Sequence, residues 1–255
     1  GSSVNVSTTG TGAIDLDGLG ALTLSDVDTV NGAITASSAG ALTVTDVASG
    51  TNGNIVLSTS SGDITGLATV NAGSGNVTLN SAGAIVDDGS SATVITGGVL
   101  TADAAGAITI DSTVTSANIS TSAAGAVDLD ETDAITLTDV DTNDGSITVD
   151  AGGLITATDV VASGGSGDSV TLSTTTGGAV ATLVTGADAV SITANAGDIT
   201  IGSVTATAGT LGVTATAGSI NDAADDNTAD FTAGGLISLT AQDEIGVLGS
   251  GSDLD

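Results

Sequence analysis

A short unit that returns about every twenty residues limits what this chain can fold into more than any other feature. Residues 12–31 read GAIDLDGLGALTLSDVDTVN, which holds two near-copies, GAIDL and GALTL, and a third apolar beat at Val27. The unit comes back as NGAITA, NGNIVL, GNVTL, AGAITI, AGAVDL, DGSITV, AGDITI and GGLISL. Repetition at a fixed period of this length marks solenoids, because one unit cannot bury its own apolar face and stacking supplies the cover. Anchored on the Gly or Asp two places before the first apolar residue, coils begin at Gly12, Gly32, Gly53, Gly75 and Gly98. They continue at Gly125, Gly145, Asp168, Asp188, Gly209 and Gly235, with spacings of about 20 to 27 residues. A second strand starts eight or nine residues into most coils, at Gly20 and Gly40 for example. A third apolar beat follows at Val27, Val47, Leu67, Val94, Val114, Val140, Val160, Leu183 and Val204.

Three short strands per coil of about 20–23 residues predict an all-β fold, a parallel β-helix or β-solenoid of about eleven coils. Side chains alternate along a strand, so Ile14, Leu16, Leu22 and Leu24 point inward while Ala13, Asp15, Ala21 and Thr23 point outward. Ile14, Ile34 and Ile55 are expected to stack as one ladder, and Leu22, Leu42 and Ile64 as another. Glycine before each strand suits a corner, and Ser, Thr, Asn and Asp there can bond nearby backbone. Above the coil lies a longer period: residues 12–47 return as 125–160 without a gap. The fifth coil of each half carries an extra turn, with Ile119 in one and Phe231 in the other. The expected organisation is one rod over residues 1–255, two five-coil blocks at about 12–124 and 125–234 plus a final coil 235–255.

Composition narrows the chemistry. The 255 residues include no Lys, Arg, His, Pro, Cys, Met, Trp or Tyr, and Phe231 is the one aromatic. The net charge is −30, while a mean hydropathy of +0.44 with periodic apolar residues argues for folding rather than disorder. Without aromatics or Met a wide sandwich core has no filler, but a narrow aliphatic core does. That weighs against tandem β-sandwich modules. Nucleic acid is excluded as a partner by the lack of cations. Membrane insertion is not expected, since no apolar run reaches about 18 residues and no aromatic girdle marks a barrel. The absence of Cys leaves the redox compartment open.

The run of GAITL-like units with Ala, Gly, Thr and Asp at the corners resembles filamentous-haemagglutinin-like exoproteins and the β-strand repeat arrays of giant bacterial surface proteins. The resemblance covers the chain from Gly12 to about Val247. It implies a right-handed parallel β-helix, an extracellular or cell-surface location and service as an adhesin stalk or surface fibre. The amino-terminal secretion domain of that family is not evident here. The resemblance carries over no catalytic residues.

The acidic clusters are the residues most able to bind something. Asp15, Asp17, Asp26 and Asp28 fall in the first coil, and Asp128, Asp130, Asp139 and Asp141 in its duplicate. Asp46 should stack over Asp26 and Asp159 over Asp139, at about 4.8 Å per coil. Such oxygen-rich surroundings suit Ca²⁺, so these ten carboxylates are candidate metal ligands; a solvated, salt-screened acidic face is the competing reading. Neither an EF-hand loop nor a glycine-rich calcium nonapeptide is present. Carboxylate pairs could in principle cleave glycosides, but sugar platforms and a basic residue are lacking, and no enzyme activity is expected. The glycine-rich stretch 163–168 has no Lys to close a phosphate loop and reads as a corner. The expected function is structural, a fibre or stalk segment that associates with itself end-to-end or laterally, assisted by Ca²⁺. The alternative is a binding module that presents outward Thr and Asp to a glycan or to ice.

Overall fold

The computed structural model describes residues 1–90, 92, 94–223, 228–246 and 254. These residues form 26 strands and no helix, so no helix is long and apolar enough to cross a membrane. The chain divides into two compact units, Gly1–Asp130 and Glu131–Asp255. Each unit is a parallel β-solenoid.

In the first unit three inward rows build the core. One row runs Ile14, Ile34, Ile55, Val77 and Leu100. A second runs Leu22, Leu42, Ile64, Ile85 and Ile108. A third runs Val27, Val47, Val70 and Ile95. The two expected ladders are therefore present in the expected register. Ile34, Leu42, Ile55, Ile64 and Val47 are fully buried, and burial of each such side chain contributes about 1.5–3 kcal/mol. Val27 and Val47 take the third beat as the sequence predicts, while Val70 and Ile95 take it in place of Leu67 and Val94, which are also buried; the row then meets Ser112, and the buried Val114 lies two residues on, opposite Gly97.

The second unit repeats the plan. Its rows are Ile135, Ile155, Ala179, Ile199 and Ile220, then Val140, Val160, Val184, Val204 and Phe231. Ile147, Val170, Val190, Leu211 and Ile237 complete it. Val184, not Leu183, faces inward; Leu183 pairs with Ser203 on the outside of its strand. Val247, near which the resemblance ends, lies outside the described residues.

The duplicated blocks do not keep one phase. The strand Ile108–Ala124 lies against Ile95–Ala104 from Ile95↔Ser112 to Ala104↔Thr121, which stacks Ala117 on Leu100 and Ile119 on Ala102. The predicted extra turn at Ile119 is thus a fourth strand segment, and the coil from Leu100 to Ala117 closes in 17 residues. The next strand then falls one face later: the Ile108 N–H donates to the Ala126 carbonyl (2.9 Å), which brings Val127 onto the row of Leu22. By sequence Val127 is the counterpart of Ile14, in the other row. Phe231, at the matching place in the second half, stacks on Val204, and the described residues around it form no added strand.

Two corner devices join the coils. A buried hydroxyl ends many strands and donates to the carbonyl three or four residues on. Thr29 bonds Gly32 (2.6 Å), Thr59 bonds Gly62 (2.8 Å), Ser81 bonds Ala84 (2.8 Å), and Ser49 and Thr142 bond Gly53 and Gly145. One place before the first inward residue, a polar side chain accepts from the backbone of the next coil: Asn54 from the Asn76 N–H, Asp63 from Ala84, Asp198 from Ser219. The glycines at coil starts mostly have another role than predicted. Gly32, Gly53 and Gly75 stack in a column where a Cβ would run into the carbonyl of the glycine one coil earlier. Close approach, not a left-handed backbone, demands glycine there. Positive φ occurs elsewhere, at corners such as Gly62 (φ 82°) and Gly197 (φ 88°), and at Gly66 (φ 61°) inside the strand Ile64–Leu67.

Candidate functional site

Outward positions of the strands carry the polar chemistry, because alternation leaves the inward ones aliphatic. The structure sorts the ten predicted carboxylates into separate places. Asp26, Asp28 and Asp46 come together on the third face of the first unit, where the Val27 N–H donates to the Asp46 carbonyl (3.0 Å), so Asp46 stacks over Asp26 as expected. Asn5 on the opposite side of that strand donates its side-chain amide to Asp26 Oδ2 (3.0 Å). Partial burial pushes Asp28 up, reinforced by a hydrogen bond to Asp26 and by the charges of Asp26 and Asp46. Asp46 is raised for the same reasons, burial first and then Asp26.

Asp15 and Asp17 stand apart from that group. They pair with Thr35 and Ser37 on another face, and Ser37 Oγ donates to Asp17 Oδ1 (2.5 Å). The four carboxylates that the sequence groups in one coil are therefore two pairs. Asp17 begins an outward column that continues through Ser37, Ser58, Asn80, Asp103 and Ser120. Two open grooves of 390 Å³ and 340 Å³ follow this column and share Thr59. Ser120 Oγ donates to Asp103 Oδ1 (2.6 Å), so hydroxyls already partner both carboxylates of the column.

Asp128 and Asp130 also move away from their predicted companions. The phase change places them beside Asp111 and Asp87 in the first unit, two residues that sequence reasoning did not single out. Burial, then the charges of Asp87 and Asp130, a hydrogen bond to Asp130 and the charge of Asp128 raise Asp111 to about 6. A signal was present: Gly106-Ala-Ile-Thr-Ile-Asp111 and Gly125-Ala-Val-Asp-Leu-Asp130 are successive copies of one unit. Aligning Gly125 with Gly106, its neighbour in the chain, puts Asp130 over Asp111.

In the second unit Asp139, Asp141 and Asp159 are neighbours, as predicted. The Val140 N–H donates to the Asp159 carbonyl (2.9 Å). Burial, then Asp139 and Asp159, push Asp141 up to about 6. Asp159 Oδ1 is buried with no hydrogen-bond partner. Among the described residues, no group of three or more acidic side chains has an arrangement that could hold a metal ion. The acidic stacks concentrate negative charge along the coils.

Other polar features are structural or open. The loop at 163–168 is a corner, with the Gly165 N–H donating to Asp168 Oδ2 (2.7 Å). On the second unit, outward hydroxyls form two adjacent columns. Thr148, Thr171 and Ser191 stand in one, and Ser173, Thr193, Thr214 and Thr240 in the other. Hydroxyls spaced in this way bind through hydrogen bonds alone and offer neither a nucleophile's base nor a proton shuttle. Comparison with known proteins adds no relative: no family model, no curated protein and no solved structure matches this chain.

Proposed function

We propose that the protein is a structural segment of an extracellular surface fibre or stalk, whose coils stack onto further coils. One observation carries this reading. Parallel rows run without interruption through each unit, from Ile14 to Leu100 and from Ile135 to Ile220, so coil after coil is covered by another of the same plan. Ile237–Ala241 adds to Leu211–Ala215 in the same way, with Leu239 on Val213. A repeat of this kind sets no length of its own, and a further coil adds the same ladder and the same aliphatic row. A second copy can supply that coil through a head-to-tail contact, which propagates into filaments. The extracellular setting rests on the resemblance of the repeat to bacterial surface arrays.

Thirty uncompensated negative charges oppose such contacts at low ionic strength. Divalent cations act here as a concentrated screening atmosphere over the acidic stacks. Scattering and electron microscopy with millimolar Ca²⁺ and with chelator test the reading. Longer filaments or lateral bundles are expected with Ca²⁺, and Leu239→Lys should shorten them while leaving the circular dichroism unchanged. A monodisperse monomer of 23.6 kDa in every condition overturns the proposal.

The second reading, a binding module, is favoured by the two hydroxyl columns of the second unit. They present donors and acceptors at a regular spacing of about 4.8 Å along the coils, which suits a regularly spaced partner such as a glycan chain or an ice surface. Thermal hysteresis and a neutral-glycan array are its tests, with Thr193→Val and Thr214→Val together expected to abolish any signal.

A further inference from the structure

The chain contains two Asn-Gly dipeptides, Asn31-Gly32 and Asn52-Gly53, and they occupy the same corner of successive coils. Asparagine before glycine loses its side-chain amide readily, because glycine has no Cβ to keep its backbone nitrogen away from the asparagine carbonyl carbon. The structure holds one of these dipeptides and leaves the other open. Asn31 is half-buried, and its Oδ1 accepts from the Thr51 hydroxyl (3.0 Å) and from the Asn52 N–H (3.1 Å). The Gly32 nitrogen, which would have to attack, donates its proton to Thr29 Oγ1 (3.0 Å). One coil on, Asn52 is exposed in the turn at 50–52. Among the described residues no hydrogen bond holds its side chain or the Gly53 N–H. The reason lies in the coil that follows. Ser74 stands where a backbone donor could reach Asn52, but its N–H and its hydroxyl both go to the Thr51 carbonyl (2.8 and 3.2 Å).

We propose that Asn52 is a site of spontaneous covalent modification, converting to aspartate and isoaspartate with water as the only co-reactant, while the fold protects Asn31 in the same dipeptide. The Gly53 nitrogen, on losing its proton to hydroxide, forms a bond to Asn52 Cγ. The bond from Cγ to Nδ2 breaks, and the amide nitrogen takes a proton from water and leaves as ammonia. Water then opens the cyclic imide, and nothing is oxidised or reduced. Cleavage at Cγ gives aspartate; cleavage at the backbone carbonyl gives isoaspartate, whose main chain runs through the former side-chain methylene. The two products act differently on the corner. Aspartate keeps its backbone and adds one negative charge. Isoaspartate lengthens the backbone just before Gly53, whose carbonyl is held by the Ser49 hydroxyl and which lies too close to the Gly32 carbonyl to admit even a Cβ. That product loosens the entry to the strand Ile55–Thr59. The reaction needs one chain only and holds whether or not copies associate.

The test is incubation of the whole protein for weeks at mildly alkaline pH, folded and in denaturant. Peptide mapping with a broad-specificity protease and electron-transfer fragmentation then separates isoaspartate from aspartate at each site. In the folded protein Asn52 should convert at least about tenfold faster than Asn31, since the hydrogen bonds at Asn31 and Gly32 must open first. In denaturant the two rates should converge. Asn52→Ser, which copies Ser74 of the next coil, should remove the acidic species that ion exchange resolves in the aged parent. Hydrogen exchange should be faster over Ile55–Thr59 in the isoaspartyl fraction than in fresh protein. Equal rates at the two sites in the folded protein, or an Asn52 that stays intact while the denatured chain converts, would overturn the proposal. So would a preference for Asn52 that persists in denaturant, an acidic fraction unchanged in Asn52→Ser, or unaltered protection in the isoaspartyl fraction.

Discussion

At the scale of single residues, the corner hydroxyls do more than their small size suggests. Thr29 is 5% exposed, donates to the Gly32 carbonyl at 2.6 Å and accepts from the Gly32 N–H at 3.0 Å. Thr29→Val keeps the shape but strands two buried backbone groups, a loss of about 1–3 kcal/mol. Denaturant titration should show that loss, and Thr29→Ser should recover most of it. Equal stability of the Val and Thr proteins would show that solvent satisfies Gly32. Glycines divide in a similar way. A Cβ on Gly32 meets the Gly12 carbonyl, whereas one on Gly20 meets nothing within 4 Å. Gly32→Ala should destabilise by about 1–3 kcal/mol, and Gly20→Ala should leave stability within about 0.5 kcal/mol. The two melting curves decide whether coil spacing or backbone freedom selects glycine at these corners.

At the scale of the strand, stability comes from rows rather than from isolated contacts. Leu42 is fully buried between Leu22 and Ile64. Leu42→Ala should cost about 2–5 kcal/mol, because rigid neighbouring coils collapse poorly into the space left. Leu42→Asp should unfold the adjoining coils, since a buried carboxylate has no cation in this chain to meet it. Hydrogen exchange would locate the effect, with lost protection expected first in Leu22–Thr29 and Ile64–Leu67, the strands on either side. Protection lost uniformly over the first unit would mean that its coils unfold as one block.

For the whole molecule, the governing quantity is charge of a single sign. A net charge of −30 with no basic residue means that no carboxylate has a side-chain ion partner. Raising salt shortens the Debye length from about 30 Å at 0.01 M to about 10 Å at 0.1 M. The melting temperature should therefore climb with sodium chloride at pH 7.5, most steeply at the low end. A protein held together by ion pairs would show the opposite trend, and a flat response would show that the acidic stacks are already neutral or screened. Acidification acts on the same charges by protonation. Asp141 is raised on folding to about 6 beside Asp139 and Asp159, so the melting temperature should rise as the pH falls through about 6, and Asp141→Asn should reduce that rise.

What the sequence determined by itself is local and periodic. Ile14, Ile34 and Ile55 share a row because alternation sends every second residue inward and the coil length repeats their position. The same reasoning placed Asp46 over Asp26 and Asp159 over Asp139. What only the tertiary structure decided is which face a strand occupies after an irregular coil. Gly125 matches Gly12 in sequence, yet it stacks on Gly106, because residues 98–124 hold four strand segments where other coils hold three. Parallel ladders of small β-branched residues accept either register almost equally well, since each offers the same hydrogen bonds and an aliphatic row. The choice falls to packing against the preceding coil, where Leu100 takes Ala117 above it, and nothing in the local pattern encodes that neighbour. The carboxylate group at Asp87, Asp111, Asp128 and Asp130 exists only as a consequence of that choice.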